Sequence, residues 1–368
     1  MRRFVLFACL VVSCSVLQAQ QTSPAWSRVQ HLQHGINASE WFAQSRDYSP
    51  QRLRSYTTLD DIVRMHSMGF DHIRLSIDPA IFDCPAVWSQ CERVQALDEV
   101  IAKALSQDLA IIIDLHPSDE YKKQLGISDN AVEKFTILWT RIAEYYSRSD
   151  PNRVFFEVLN EPELDDHFRW GGIEQKAVAE IRRSAPAHTI IVEGGGYANI
   201  DDLVRMPQFA DGNLIFNFHY YDPHIFTHQG ASWGSPFWIS LRQVPFPASP
   251  ETIQPAIAIQ SDDFARWRLT EYGLESWGPD RVEAEMQFVA DWAKSRGVPI
   301  TCNEFGVYRK FSNPDDRQRW IATARVAMEH HKIGWTMWDY QGGFGVVAKE
   351  NGATVDDKGV LQALGLSR

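Results

Sequence analysis

Eight short apolar runs, separated by amphipathic helical patterns, leave this chain very few ways to fold. The runs are HGINASEW (34–41), FDHIRLSI (70–77), LAIIIDLHP (109–117), VFFEVLNEP (154–162), HTIIVEGGG (188–196), NLIFNFHYY (213–221), VPITCNEFG (298–306) and IGWTMWDY (333–340). Most lack the period-two alternation of a strand with one wet face, which is the pattern of strands covered on both sides. Between them, Thr58 is placed to cap a helix carrying Leu59, Ile62 and Val63 and ending at Gly69. Val94, Leu97, Val100, Ile101, Ala104 and Leu105 keep helical spacing, as do Val132, Phe135, Trp139, Ile142 and Tyr146. Asn313-Pro314 opens a further helix with Trp320, Ile321 and Ala324 on its inner face. Strand then helix, repeated in this way, predicts an α/β chain folded as a (β/α)8 TIM barrel. A doubly wound sheet would want a glycine-rich phosphate loop after its first strand, where Ala38-Ser39-Glu40 stand instead.

The spacing breaks once. Between about Pro223 and Val298 lies a long insertion after the sixth strand. It holds THQGASWGSPFW (227–238), a proline-rich run and a helix from about Asp262. Connections of that length are usually functional or disordered, and Trp233 and Trp238 favour an ordered wall beside a site.

The N-terminus, MRRFVLFACLVVSCSVLQAQQ, reads differently. Arg2 and Arg3 precede an apolar run, Phe4 to Val12, too short to span a bilayer, and Leu17-Gln18-Ala19 is a plausible cleavage site. Residues 1–19 are therefore expected to be a signal peptide, residues 20–368 a single (β/α)8 domain, and the protein secreted or periplasmic. A buried N-terminal helix is the alternative. Val11-Val12-Ser13-Cys14 also looks like a bacterial lipoprotein box, so a lipid anchor through Cys14 is a second reading. No other segment approaches transmembrane length. Cys84 and Cys91, in the loop FDCPAVWSQCERV, are expected to form a disulfide in an oxidising compartment. Cys302 lies inside an apolar strand and reads as a small buried hydrophobe. No other cysteine pair or close-spaced histidine set accompanies these, so no metal and no cofactor is expected. The net charge of −11 argues against nucleic acid as a partner but leaves a neutral polymer open. Thirteen tryptophans supply large apolar faces, and some are expected to grip a ligand.

In a barrel of this kind the active site lies at the C-terminal ends of the strands. The polar and aromatic residues there are Arg74, His116, Asn160, Glu161, His219, Tyr221, Glu304 and Trp338. Glu161 and Glu304 can face each other across the mouth. Two carboxylates converging on one pocket are the equipment of glycoside hydrolysis. A separation of ~5 Å makes one a nucleophile and the other an acid/base; ~6.5–9.5 Å leaves room for water and gives inversion. An ion pair with a neighbouring arginine is the plainer reading of either glutamate taken alone.

These residues carry a resemblance. LNEP (159–162), NEFG (303–306), HIRL, DLHP, HYY and MWDY resemble the motifs of glycoside hydrolase family 5, the cellulase family of retaining clan A barrel enzymes, from about His34 to Phe344. The resemblance implies that Glu304 is the nucleophile, ionised and held by hydrogen bonds from Arg74 and the Tyr221 hydroxyl. Glu161 would be the acid/base, protonated at the start, with His219 beside it. Asn160 would bind the sugar 2-hydroxyl and His116 another hydroxyl of the same sugar. Trp338 would be the platform under that sugar, while Trp335 is expected in the helix layer. Trp41, Trp170, Trp233 and Trp238 are candidates for outer subsites, with simple loop packing as the equal alternative for each. Gly194-Gly195-Gly196 reads as close backbone approach rather than a phosphate cradle, and Glu193 and Asp114 as structural hydrogen-bonding groups. The implied activity is a secreted endo-β-1,4-glucanase with net retention. A β-mannanase, xyloglucanase or exo-β-glucosidase would use the same set, the insertion deciding between them. A non-catalytic polysaccharide-binding protein is the reading from another class. The expected partner is a polysaccharide or oligosaccharide, met by a monomer with no membrane span.

Overall fold

The computed structural model describes residues 23–350 and 353–366. The expected signal peptide and Cys14 lie outside the described residues. Strands β1 (His34–Phe42), β2 (His72–Ile77), β3 (Ala110–Leu115), β4 (Val154–Glu157), β5 (Ile190–Glu193), β6 (Leu214–Tyr220), β7 (Ile300–Phe305) and β8 (Gly334–Met337) close into a parallel barrel in chain order. β8 pairs back onto β1 through His34, Gly35 and Ile36. All eight runs are strands, but several stop early: Asn160 and Glu161 lie in the loop after β4, and Tyr221 and Trp338 just beyond β6 and β8.

The strands are buried on both faces, for two different reasons. Ile111, Ile113, Phe156, Ile190 and Val192 point outward into the helix layer, where they join the main core. Ala110, Ile112, Phe155, Ile191 and Ile215 point inward and form a second cluster with Ala25, Val29 and Leu32. Ala25 belongs to a short helix, Pro24–Arg28, Val29 to a 3₁₀ turn, Val29–His31, and Leu32 caps that turn; together they plug the barrel floor. Burial of this kind contributes roughly 25 cal/mol per Å² of apolar surface removed from water.

The helices form where the periodicity predicts. Leu59–Met68 opens on a Thr58–Asp61 capping box and ends at Gly69, in the left-handed region at φ 102°. Glu92–Ser106, Asp129–Tyr146 and Pro314–His330 follow, the last capped by the Asn313 side chain. Within the insertion, Asp263–Leu274 is an extra helix, and Pro279–Arg296, directly before β7, takes the place of the sixth barrel helix. The inserted part therefore ends near Gly278 rather than at the start of β7. A hairpin after β8, β9 (Val347–Glu350) with β10 (Ala353–Asp356), has no counterpart in the sequence reading. Cys84 and Cys91 are disulfide-bonded, and Cys302 is buried and free. Among the described residues, no helix is long and apolar enough to cross a membrane.

Candidate active site

Above the apolar floor the inward positions turn polar. One step of two along each strand leads from Ile112 to Asp114, Phe155 to Glu157, Ile191 to Glu193 and Ile215 to Asn217. Arg74 enters this layer from β2 and is fully buried. Its Nε donates to both Glu157 oxygens at 3.0 and 3.1 Å, and its Nη2 to Glu157 Oε1 at 2.7 Å and Asn160 Oδ1 at 2.9 Å. Its Nη1 donates to Glu304 Oε1 at 2.7 Å and to Asn37 Oδ1 at 3.0 Å. Asp114 lies 3.1 Å from the same guanidinium. Burial opposes the charge on Arg74, but Asp114, Glu157 and Glu304 outweigh it and hold the group firmly protonated.

Glu304 reaches this layer through an irregularity. The β6–β7 register shifts between Phe218 and His219, and the β7–β8 register shifts between Cys302 and Phe305. A bulge lets consecutive residues of one strand face the same side. Asn303 accordingly donates to Glu157 Oε2 at 2.6 Å while Glu304 takes its bond from Arg74. The Tyr221 hydroxyl donates to the other Glu304 oxygen at 2.9 Å.

Glu161 stands opposite with its backbone in the left-handed region, φ 41°, a conformation uncommon outside glycine. The Glu193 carboxyl accepts its backbone N–H and pins that turn. Burial, reinforced by Glu157, raises the Glu193 carboxyl well above the usual carboxylate range. Asn217 donates to Glu193 Oε2 at 2.6 Å. The Glu161 carboxylate meets His219 Nδ1 at 2.9 Å, and the same nitrogen lies 3.6 Å from Glu304 Oε2. One oxygen of Glu161, one of Glu304 and a ring nitrogen of His219 all lie within 4.8 Å of one another.

His116 rests its ring 5.9 Å from that of Trp338 at an interplanar angle of 19°, and its Nδ1 lies 3.1 Å from Asp114. Trp338 is partly open to solvent. Burial pushes the His116 imidazole down to about 3 and that of His219 to about 4, against the pull of Glu304. Both are expected to remain neutral at pH 5.5 in ring-¹⁵N spectra, where an unperturbed imidazole is about nine-tenths charged. The unfolded chain then binds more protons than the fold, so these two groups lower stability as the pH falls from about 6.5 towards their folded values.

The structure thus brings Arg74, Asn160, Glu161, His219, Tyr221 and Glu304 into one hydrogen-bonded group, with His116 and Trp338 beside it. Two of the four outer tryptophans do not belong there. Trp41 is buried with its indole N–H on the Leu53 carbonyl at 2.6 Å, and Trp170 with its N–H on the Glu193 carbonyl at 2.8 Å. Both rings pack the barrel wall and have no face left for a sugar. Trp233 is 46% exposed and touches Tyr308 and Phe344, the latter 5.9 Å from Tyr221. Trp238 stacks on His224 at 5.6 Å and 10°. Trp335 lies in the helix layer, its indole N–H on Glu329. The glycine run packs against a helix: a Cβ on Gly194 would run into the backbone of Asp202.

Glu157 was missed in the sequence, as were Asn37, Asn217 and Asn303. The available signal was a charged or amide residue in the middle of each apolar run.

The sequence matches the cellulase family, glycosyl hydrolase family 5, over residues 33–343. It is 24% identical to "Endoglucanase 3" of Fibrobacter succinogenes over 379 residues, covering 97% of this chain but 56% of that protein, so the chain spans little more than half its length. It is 24% identical to "Endoglucanase C" of Acetivibrio thermocellus over 315 residues, 83% of this chain and 90% of that one. Among solved structures, Thermotoga maritima Cel5A, determined with cellobiose and with mannotriose, superposes with a TM-score of 0.72 at 25% identity, over 92% of this chain and 99% of that one. The family match begins just before β1 and ends beyond β8, so it takes in the whole barrel: this chain belongs to the cellulase family, glycosyl hydrolase family 5, and is an O-glycosyl hydrolase.

Proposed function

We propose that the chain is a retaining endo-β-1,4-glucanase, with Glu304 as nucleophile and Glu161 as acid/base. The observation that carries this reading is the approach of the two carboxylates, with one oxygen of each within 4.8 Å of the other. That gap has no room for the water an inverting enzyme places between its carboxylates and suits attack on the sugar itself. Glu304, oriented by Arg74 and Tyr221, forms a bond to the anomeric carbon while Glu161 donates its proton to the departing oxygen. Glu161 then takes a proton from water as that water displaces Glu304. The Asn160 oxygen accepts from Arg74, which orients the amide; its nitrogen, with no acceptor among the described residues, is the donor for the sugar 2-hydroxyl. Trp338 and His116 bound the same subsite.

Residues 20–368 act as the catalytic domain, delivered by a leader at 1–19. The names of the endoglucanase relatives favour a β-glucan. The mannotriose complex of the Thermotoga protein keeps mannan as a second reading. Reducing-end release from carboxymethylcellulose, set against mannan and laminarin, decides between them. NMR of the first product should show the β-anomer, and α-anomer appearing first would overturn the mechanism.

Trp233 and Trp238 form the wall where the insertion meets the mouth. Trp233→Ala is expected to raise KM for polymer roughly threefold to tenfold, the worth of one aromatic contact. A small aryl cellobioside should react as with the native chain. Equal change on both substrates would remove Trp233 from the outer subsites.

A further inference from the structure

Among the described residues, three side-chain groups bring metal-ligating atoms within 4.8 Å of one another. Two of them, Glu157–Glu193–His219 and Glu161–His219–Glu304, share the catalytic mouth. There Arg74 already supplies the cation, 2.7 Å from Glu157 and from Glu304. The third, Glu283–His330–His331, lies outside the barrel, and among the described residues no arginine or lysine forms an ion pair with Glu283. We propose that it is a site for one first-row divalent cation, zinc above all.

The geometry is assembled by two helices. Glu283 stands on Pro279–Arg296, and His330 is the last residue of Pro314–His330. Adjacent residues within a helix point about 100° apart. His331, however, is the C-cap and has left the helical path, so the two rings converge, centroids 4.7 Å apart. His330 Nδ1 and His331 Nε2 both reach the same oxygen, Glu283 Oε1, at 2.7 and 2.8 Å. These are the only hydrogen bonds of the Glu283 carboxylate among the described residues. A tetrahedral zinc with bonds of about 2.0–2.1 Å wants its ligand atoms roughly 3.3 Å apart. Each nitrogen therefore needs to withdraw by about half an ångström. Two imidazoles and one carboxylate with water in the fourth position form a normal zinc donor set. The His330 side chain is 69% exposed and that of Glu283 41%, so ion and water have access. No metal was expected from histidine spacing, yet His330 and His331 are neighbours, and the fold brings Glu283 over to them from another helix. The bound ion would tie together the two helices on either side of β7, the strand that carries Glu304.

The test uses untagged full-length chain, stripped with chelator and titrated with zinc chloride at pH 7.5. One equivalent should bind and the melting temperature should rise with zinc. His330→Ala, His331→Ala and Glu283→Gln should each weaken binding at least about tenfold, since even outer partners of a metal site are worth that much. Their circular dichroism and their turnover of soluble substrate should match the native chain, because none of the three touches the catalytic group. Absence of saturable zinc binding, or zinc binding undiminished in both histidine variants, would overturn the site.

Discussion

Glu304→Ala is expected to lower kcat by roughly 10⁴- to 10⁶-fold, the scale of losing a covalent nucleophile from groups that act as a unit, while leaving the melting temperature nearly unchanged. The two halves of that expectation have separate causes. On the proposed roles, turnover goes because the neighbouring His219 cannot stand in for the nucleophile: it lies 3.6 Å from Glu304 but is engaged with Glu161 at 2.9 Å. Stability stays because Arg74 keeps Glu157 and Asp114 when Glu304 is gone. The alanine also leaves a space about the size of a small anion beside a guanidinium and a phenol. Azide is expected to enter it, attack from the vacated side and restore turnover with product of inverted configuration. Rates with and without azide, and NMR of the glycosyl azide, check both points. A native-like rate in the variant would remove Glu304 as nucleophile, and a β-configured azide product would contradict the direction of attack.

What could be read in advance follows from how each feature is stabilised. The eight strands were legible because burial on both faces turns them into apolar runs, and helix ends because caps such as Thr58 and Asn313 are local chemistry. The floor plug was not, since Ala25, Val29 and Leu32 acquire meaning only against Ile112, Phe155 and Ile215, far along the chain. The site residues at strand ends were legible as the places where apolar runs stop. The layer beneath them was hidden: Glu157 lies within a run that otherwise reads as core. Its partner Arg74 is on another strand, and the bulge that turns both Asn303 and Glu304 inward leaves no sequence mark. Trp41 and Trp170 could not be assigned in advance, because a tryptophan that packs a wall and one that grips a sugar look alike until the indole N–H is traced to its acceptor.

That hidden layer carries the second large effect. Arg74→Met retains much of the side chain's volume and removes the cation bonded to Asp114, Glu157 and Glu304. Leaving buried charges without their partner is expected to destabilise the fold by about 3–5 kcal/mol. Loss of the Nη1 donor to Glu304 should lower kcat by a further ~10²–10³-fold in whatever remains folded. The penalty has a definite pH dependence. Burial already pushes the Asp114 carboxyl up to about 6, with Arg74 opposing, and raises Glu157 against the same opposition. Without the arginine both must rise further. A carboxyl whose folded value is raised weakens the fold above that value, and the deficit is relieved as the pH falls and it takes up a proton. The gap in melting temperature between native and Arg74→Met protein is therefore expected to be wide at pH 8 and to narrow steadily towards pH 5. Arg74→Lys, which keeps the charge but not the five-donor fork, should show a smaller gap with less pH dependence. A gap of the same width at both pH values would mean that Arg74 serves the fold by its shape, and the account of one cation holding three carboxylates together would fail.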